Sequence, residues 1–125
     1  MKIFNEFGLS QELLATIEKK GITEPTTIQR ESIPYIVQGK DVIGESATGS
    51  GKTLAFGCGV IERVVPGKGL QALIMTPTRE LAEQVKDELH LFSGSKKLSI
   101  ITIYGGVSIN PQIDHLPRAD VVVGT

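Results

Sequence analysis

The chain has 125 residues, of which 40% are hydrophobic and 22% are charged, and its formal net charge is −1. This length corresponds to one domain or part of one, and the apolar fraction is high enough for a hydrophobic core. The near-neutral charge excludes a general electrostatic attraction to nucleic acid, so any contact of that kind must be local.

Cys58 is the only cysteine, which excludes an intrachain disulfide and favours a reducing, cytoplasmic location. Residues 1–6 place an acid where a signal peptide has its apolar region, so secretion is not expected. No apolar run approaches the ~20 residues that cross a bilayer, and no membrane association is predicted.

The first 39 residues contain two predicted helices. Ser10 can cap a helix over residues 11–20, and a second helix over residues 27–38 ends at a glycine. Pro34 lies inside the second helix and predicts a kink or a break there.

The strongest motif follows in residues 41–63. Residues 41–44 form a short apolar run that predicts a buried strand, and residues 54–63 predict a mostly apolar helix. Between them lies the loop Ser46-Ala47-Thr48-Gly49-Ser50-Gly51-Lys52-Thr53. A strand, a glycine-rich loop, Gly-Lys-Thr and a helix in this order are typical of a phosphate-binding loop, although Ser46 replaces the first glycine of the strict pattern. The alternative is a Gly/Ser turn before an ordinary helix.

The residue types of this loop suit a nucleoside triphosphate. Gly49 and Gly51 let the backbone curl so that its N–H groups point inward, next to the positive end of a helix. Lys52 can reach the terminal phosphates, and the hydroxyl of Thr53 can ligate Mg²⁺. Lys52 and Thr53 are therefore the candidate catalytic residues, and Thr53 is the candidate metal ligand.

The second half of the chain alternates strands and helices. Strands are predicted over residues 70–75, 98–104 and 119–123, and residues 108–116 predict a short helix. A longer helix, which Thr78 can cap, follows the first of these strands. This alternation predicts an α/β fold with a mainly parallel sheet.

Together these segments resemble the first RecA-like domain of the DEAD-box RNA helicases. Residues 21–29, Gly-Ile-Thr-Glu-Pro-Thr-Thr-Ile-Gln, resemble the family's Q motif, and the loop resembles its motif I. Residues 77–82, Pro-Thr-Arg-Glu-Leu-Ala, resemble motif Ia, the Gly-Gly pair at 105–106 resembles the GG element, and residues 123–125 resemble the approach to motif Ib. The resemblance covers nearly the whole chain, and these motifs have the family's order and spacing.

This resemblance implies a P-loop NTPase fold with helices on both faces of the sheet, incomplete in this chain. Residues 1–39 are then the Q-motif region, and residues 40–125 are the N-terminal part of the RecA-like ATP-binding domain. The implied cofactors are ATP and Mg²⁺. The implied cofactor-binding residues are Phe4, Ile22, Glu24, Thr27, Gln29, Ser46, Ala47, Thr48, Gly49, Ser50, Gly51, Lys52 and Thr53.

Three of these residues concern the base, and by resemblance Phe4 packs near it. By resemblance the amide of Gln29 reads the adenine edge, because it offers both a donor and an acceptor. Ile22 occupies a position where the family usually has an aromatic residue, so an aliphatic face would cover the purine. The alternative for Gln29 is an ordinary surface amide on a helix.

The resemblance also implies contact with the RNA backbone. The implied RNA-binding residues are Pro77, Thr78, Arg79, Gly105, Gly106 and Thr125. Arg79 at a helix N-terminus suits a phosphate, and paired glycines permit close approach to the main chain. The alternative for Arg79 is a surface ion pair with Glu83, four residues along the helix.

The Asp-Glu-Ala-Asp and Ser-Ala-Thr motifs of the family do not occur in these residues. The chain alone is therefore expected to be inactive or nearly so, while the parent protein would be an ATP-dependent RNA helicase that unwinds short duplexes. A nucleotide- or RNA-binding module without turnover, and a DNA-acting helicase or translocase, are the alternatives. By resemblance, residues 42–44 lack their neighbouring strands and residues 70–75 have an open edge, so rearrangement or self-association is expected.

Overall fold

The computed structural model describes residues 3–125. Within them lie five α-helices, three strands and two short 3₁₀ turns at Phe4–Glu6 and Leu116–Arg118. The helices are α1 (Gln11–Lys19), α2 (Thr27–Val37), α3 (Lys52–Arg63), α4 (Arg79–Ser93) and α5 (Ile109–His115). The strands are β1 (Ala72–Met75), β2 (Ile100–Ile103) and β3 (Val121–Gly124). The five predicted helices and these three predicted strands are confirmed, with small shifts at their ends.

The chain divides into two compact units. The first runs to Arg63 and includes Phe92–Ser95, and the second comprises Val64–Leu91 and Lys96–Thr125. No helix among residues 3–125 is long and apolar enough to cross a membrane.

Helices α1, α2 and α3 belong to the first unit. The hydroxyl of Ser10 accepts a hydrogen bond from the amide of Leu13 at 3.2 Å, which caps α1 as predicted. Of the predicted kink or break at Pro34, the break is absent, because α2 is continuous through this residue. Gly59 of α3 lies against Ile36 of α2 so closely that a Cβ atom there would stand 2.2 Å from the Ile36 Cγ2 atom.

The predicted buried strand at residues 41–44 is wrong in this structure. These residues form no strand, and the exposed fractions of Val42 and Ile43 are 40% and 103%. The physical reason is that a strand requires hydrogen-bonding neighbours, and none of the three described strands pairs with this segment.

The second unit contains a parallel three-stranded sheet in the order β1-β3-β2. Val121 is paired with Ala72 on one side and Ile100 on the other, and Gly124 is paired likewise with Met75 and Ile103. The central strand β3 is fully buried over most of its length, which explains its unbroken valine sequence. The α/β fold class with a parallel sheet is confirmed, and because the strands are in register their carboxyl ends meet at one edge.

A buried carboxylate anchors the beginning of β3. Asp120 is 3% exposed, and its two oxygens accept hydrogen bonds from the amides of Gly67 and Ser99, each at 2.9 Å. Each of these amides comes from a loop that precedes a neighbouring strand. Asp120 therefore fixes the entrances of β1 and β2 to the strand between them.

Candidate functional site

The loop before α3 has the backbone that its glycines predict. Gly49 and Gly51 have φ values of 81° and 87°, in the left-handed region that favours glycine. The hydroxyls of Ser46 and Ser50 lie 2.6 Å apart, which joins the two sides of the loop. Within residues 3–125 the amide groups of Thr48, Gly49 and Gly51 have no hydrogen-bond partner. The loop therefore presents free N–H donors beside the first turn of a helix, which suits an anion.

The two candidate catalytic side chains stand in the first turn of α3. Lys52 is exposed, and its Nζ atom donates to the backbone oxygen of Ser46 at 2.7 Å. The ammonium group therefore reaches back across the loop. Thr53 is partly buried beside it.

Gln29 has a different environment from the surface amide considered as the alternative. It is 4% exposed and lies in the first turn of α2. Its Oε1 atom accepts from the amide of Thr26 at 2.9 Å, and its Nε2 atom donates to the oxygen of Gly51 at 3.1 Å. The side chain therefore connects the start of α2 directly to the loop before α3.

The contact between Gln29 and the loop explains why position 51 is glycine. A Cβ atom there would lie 2.3 Å from the Nε2 atom of Gln29 and 3.3 Å from the hydroxyl of Thr26. Any other side chain at this position would push the amide away. Gly51 is therefore required both by its backbone conformation and by the space that Gln29 occupies.

The other predicted cofactor-binding residues before the loop are less closely grouped. Phe4 is buried, with its ring edge-on to Phe7, and together with Ile22 it lines a cavity of about 350 Å³. Gln29 does not line this cavity. Glu24 and Thr27 are both exposed. The structure therefore places Gln29 in contact with the phosphate loop, while Phe4 and Ile22 line the same cavity.

The predicted RNA-contacting segments all belong to the second unit. Pro77, Thr78 and Arg79 follow β1, the pair Gly105-Gly106 follows β2, and Thr125 follows β3. All six residues are exposed. Because the strands are parallel and in register, these segments come together at the carboxyl edge of the sheet, where open α/β sheets bind ligands.

Main-chain hydrogen bonds fix these segments at the edge. The amide of Thr76 donates to the oxygen of Gly124 at 2.8 Å, and the amide of Thr125 donates to the oxygen of Ile103 at 3.2 Å. The hydroxyl of Thr78 caps α4 by accepting from the amide of Leu81 at 3.1 Å, as predicted.

Sequence reasoning missed a side-chain network at this edge. The hydroxyls of Tyr104 and Thr102 each donate to the Oε1 atom of Glu83 at 3.0 Å. These hydrogen bonds, with that from Tyr104 the stronger influence, lower the pKa of the Glu83 carboxyl. The guanidinium carbon of Arg79 lies 4.6 Å from the centre of the Tyr104 ring. The ion pair that Glu83 forms within the described chain is with Lys86 at 3.9 Å and not with Arg79, although the charge of Arg79 also contributes to lowering the pKa of Glu83.

The only cysteine lies within α3. Burial raises the pKa of the Cys58 thiol to about 12, and the nearby Glu62 carboxylate contributes to this rise. The thiol is therefore protonated at neutral pH and unsuited to nucleophilic chemistry.

A parallel α/β sheet together with a Gly-Lys-Thr phosphate loop defines a P-loop NTPase of the RecA-like type. A profile of the DEAD/DEAH box helicases matches residues 26–125, and the chain belongs to this family. The resemblance drawn from the sequence motifs is thereby confirmed.

Known proteins of the same family match the chain along its length. It is 47% identical over 127 aligned residues to the DEAD-box ATP-dependent RNA helicase CshA of Geobacillus kaustophilus, covering 100% of this chain and 27% of that protein. The crystal structure of a DEAD box protein from Methanococcus jannaschii matches with a TM-score of 0.95 and 45% sequence identity. This match covers 99% of this chain and 35% of that protein chain. The RNA helicase Prp28 from Chaetomium thermophilum, bound to ADP, has a TM-score of 0.85 and 38% identity, over 100% and 32%. The chain thus spans about a quarter to a third of the length of these proteins.

Proposed function

We propose that this chain is the ATP-binding part of an ATP-dependent RNA helicase that separates short RNA duplexes and remodels RNA. The observation that carries the proposal is the hydrogen bond from Gln29 to Gly51, because it joins an amide suited to a base to a loop suited to phosphates. Two relatives support it, since CshA is named as an ATP-dependent RNA helicase and Prp28 as an RNA helicase bound to ADP.

The phosphate loop fits a nucleoside triphosphate with Mg²⁺. Its free amide donors and the N-terminus of α3 would bind the phosphate oxygens. Lys52 would exchange the oxygen of Ser46 for the terminal phosphates, and Thr53 would supply a hydroxyl ligand to the metal ion. Bound ATP supplies the phosphoryl group whose transfer to water releases the free energy for strand separation.

The amide of Gln29 has enough hydrogen-bonding capacity to read adenine as well. An amide side chain offers two acceptor and two donor positions. Thr26 occupies one acceptor position and Gly51 one donor position, so one of each remains. This remaining pair matches the donor and acceptor that adenine presents along one edge, while Phe4 and Ile22 would cover the face of the base.

Contact with RNA is proposed at the carboxyl edge of the sheet. Arg79 and the N-terminus of α4 would bind one phosphate, and the Gly105-Gly106 turn and Thr125 would bind neighbouring backbone groups. Contacts of this kind position a strand without reading its sequence. The proposal therefore predicts binding to single-stranded RNA with little sequence preference.

Replacing Lys52 with alanine tests the nucleotide part of the proposal. In the whole natural protein that contains these residues, Lys52→Ala should weaken binding of a fluorescent ATP analogue with Mg²⁺ by at least tenfold, because a charge-assisted contact of about 1.5–3 kcal/mol is lost. Lys68→Ala, which removes an exposed lysine outside the loop, is the matched control and should bind normally. Unchanged affinity of the Lys52→Ala protein would contradict the assignment.

A further inference from the structure

The side chain of Arg79 rests on an aromatic ring. Its guanidinium carbon lies 4.6 Å from the centre of the Tyr104 ring, within the ~6 Å over which a cation is attracted to an aromatic face. Arg79 is exposed, whereas Tyr104 is half-buried. The ring therefore provides a support on the protein side of a guanidinium group that faces solvent.

The ring is itself held at both ends. The hydroxyl of Tyr104 donates to Glu83, which also accepts from Thr102, and these two bonds lower the pKa of the Glu83 carboxyl because they stabilise its charged form. At the other end, the backbone amide of Tyr104 donates to the Oε1 atom of Gln112 at 2.9 Å. Three elements, α4, β2 and α5, thus fix the position of one side chain.

This arrangement leaves the hydrogen-bonding groups of Arg79 unused. Its guanidinium has five N–H donors, and none has a hydrogen-bond partner among residues 3–125. An ion pair with Glu83 would have occupied some of them, but Glu83 accepts from two hydroxyls and pairs with Lys86 at 3.9 Å instead. The ring attracts the cation through its face without using any of its donors.

We propose that Tyr104 is a positioning residue for RNA: its ring holds the Arg79 guanidinium where a backbone phosphate binds. A long arginine side chain loses rotamer freedom on binding, and a side chain that is already held loses less. Tyr104 also directly precedes the Gly105-Gly106 turn, so the same residue links two of the three proposed RNA-binding segments. The inference rests on the proposed function, because it requires that Arg79 contacts a phosphate.

A double-mutant cycle tests the inference in the whole natural protein. The affinity for a fluorescein-labelled oligouridine is measured for the wild type, Tyr104→Leu, Arg79→Ala and the double variant. Tyr104→Leu should weaken binding by about three- to tenfold, because ordering a free Arg79 side chain on binding costs about 0.5–1.5 kcal/mol that the ring otherwise saves, and it should add no loss when Arg79 is already alanine. Tyr104→Phe keeps the ring and should restore most of the affinity. Arg79→Ala should also reduce the slope of log affinity against log salt by about 0.7, as expected for one phosphate on a single strand.

Two measurements separate this role from a general structural one. The affinity for ATP should be unchanged in Tyr104→Leu. Tyr35→Leu is the matched control and should leave the affinity for RNA unchanged, because the Tyr35 ring lies 5.7 Å from the Lys40 ammonium group but belongs to the other unit. If Tyr104→Leu also loses ATP affinity, the cycle is repeated with Tyr104→Met, whose flexible side chain fills the same space without a ring.

The possible failures are distinguishable. Equal losses from Tyr104→Leu with and without Arg79 would overturn the positioning role and leave the proposed RNA site intact. Wild-type RNA affinity in Arg79→Ala would overturn both the positioning role and the assignment of Arg79 to RNA, while the ATP site would be unaffected.

Discussion

Replacing Gln29 with glutamate changes one group of the side chain and places a hydrogen-bond acceptor, in place of a donor, against the phosphate loop. The Oε1 atom can still accept from the amide of Thr26, but an oxygen now faces the oxygen of Gly51 across 3.1 Å, where an N–H group donated before. Because position 29 is only 4% exposed, water cannot readily separate the two oxygens. The substitution therefore tests the link between α2 and the loop with almost no change in side-chain volume.

The structure bounds the size of the effect. The oxygen of Gly51 retains a hydrogen bond from the amide of Ala55 at 3.2 Å, so it is not left entirely without a partner. The expected loss is that of one buried hydrogen bond plus the repulsion between two acceptors, which is about 1–3 kcal/mol of unfolding free energy. For a chain of this size that corresponds to a decrease in the melting temperature of about 3–15 °C.

The destabilisation caused by Gln29→Glu should depend on pH in a definite direction. In the Gln29→Glu variant a neutral carboxyl group at position 29 could donate to Gly51, so the pKa of this carboxyl in the folded chain should rise above the usual value of about 4.3. The stabilising contribution of that proton is present below the unfolded pKa and is lost as the pH rises through the folded pKa. The difference in melting temperature between Gln29→Glu and the wild type should therefore be largest near pH 7 and shrink toward pH 4.

Thermal unfolding followed by circular dichroism between pH 4 and pH 8 measures this difference. Gln84→Glu makes the same chemical change at an exposed position of α4 and is the matched control. In the whole natural protein Gln29→Glu should also reduce the preference for ATP over GTP, because the base-facing donor is lost. A Gln29→Glu chain as stable as the control at neutral pH, or a difference independent of pH, would refute the reasoning.

Two further predictions concern buried groups. Asp120→Ala leaves the amides of Gly67 and Ser99 without their acceptor and should lower the unfolding free energy by about 2–4 kcal/mol, as measured in urea titrations. Asp120→Asn should lower it by less. Equal stability of Asp120→Ala and the wild type would contradict this prediction. Since the pKa of Cys58 rises from 9.0 to about 12 on folding, the stability that this thiol contributes should be complete below pH 9 and lost as the pH rises through about 12. A Cys58→Ala variant should not show that alkaline loss, and an identical alkaline profile for both proteins would speak against the assignment.

Local sequence signals predicted the features that depend on neighbouring residues. The Ser10 cap of α1, the Thr78 cap of α4 and the glycine backbone of the phosphate loop each involve residues within a few positions of one another. The chemistry of a cap or of a left-handed glycine is determined locally, so it can be recognised without the fold. The family motifs extended these predictions to candidate binding residues.

The features that the sequence did not predict depend on distant residues. Residues 41–44 are as apolar as a buried strand, but pairing decides whether a strand forms, and the described strands offer no partner. The role of Tyr104 depends on Glu83, which is 21 positions away and meets it only after α4 packs beside β2. The burial of Gln29 likewise follows from a contact 22 positions along the chain. The assignment of individual residues to ATP and RNA, and the boundary after residue 39, stay predictions.

The bond between Lys52 and Ser46 has a consequence for which anions the loop selects. Any anion that recruits the ammonium group must first break this 2.7 Å contact, and the cost is the same for a small ion and for a nucleotide. A free phosphate or sulfate offers only its own oxygens in exchange, whereas a nucleotide adds a base and a chain of phosphates. The internal contact should therefore lower the affinity of the loop for small inorganic anions. The loop then stays available for larger ligands that contact several of its groups at once.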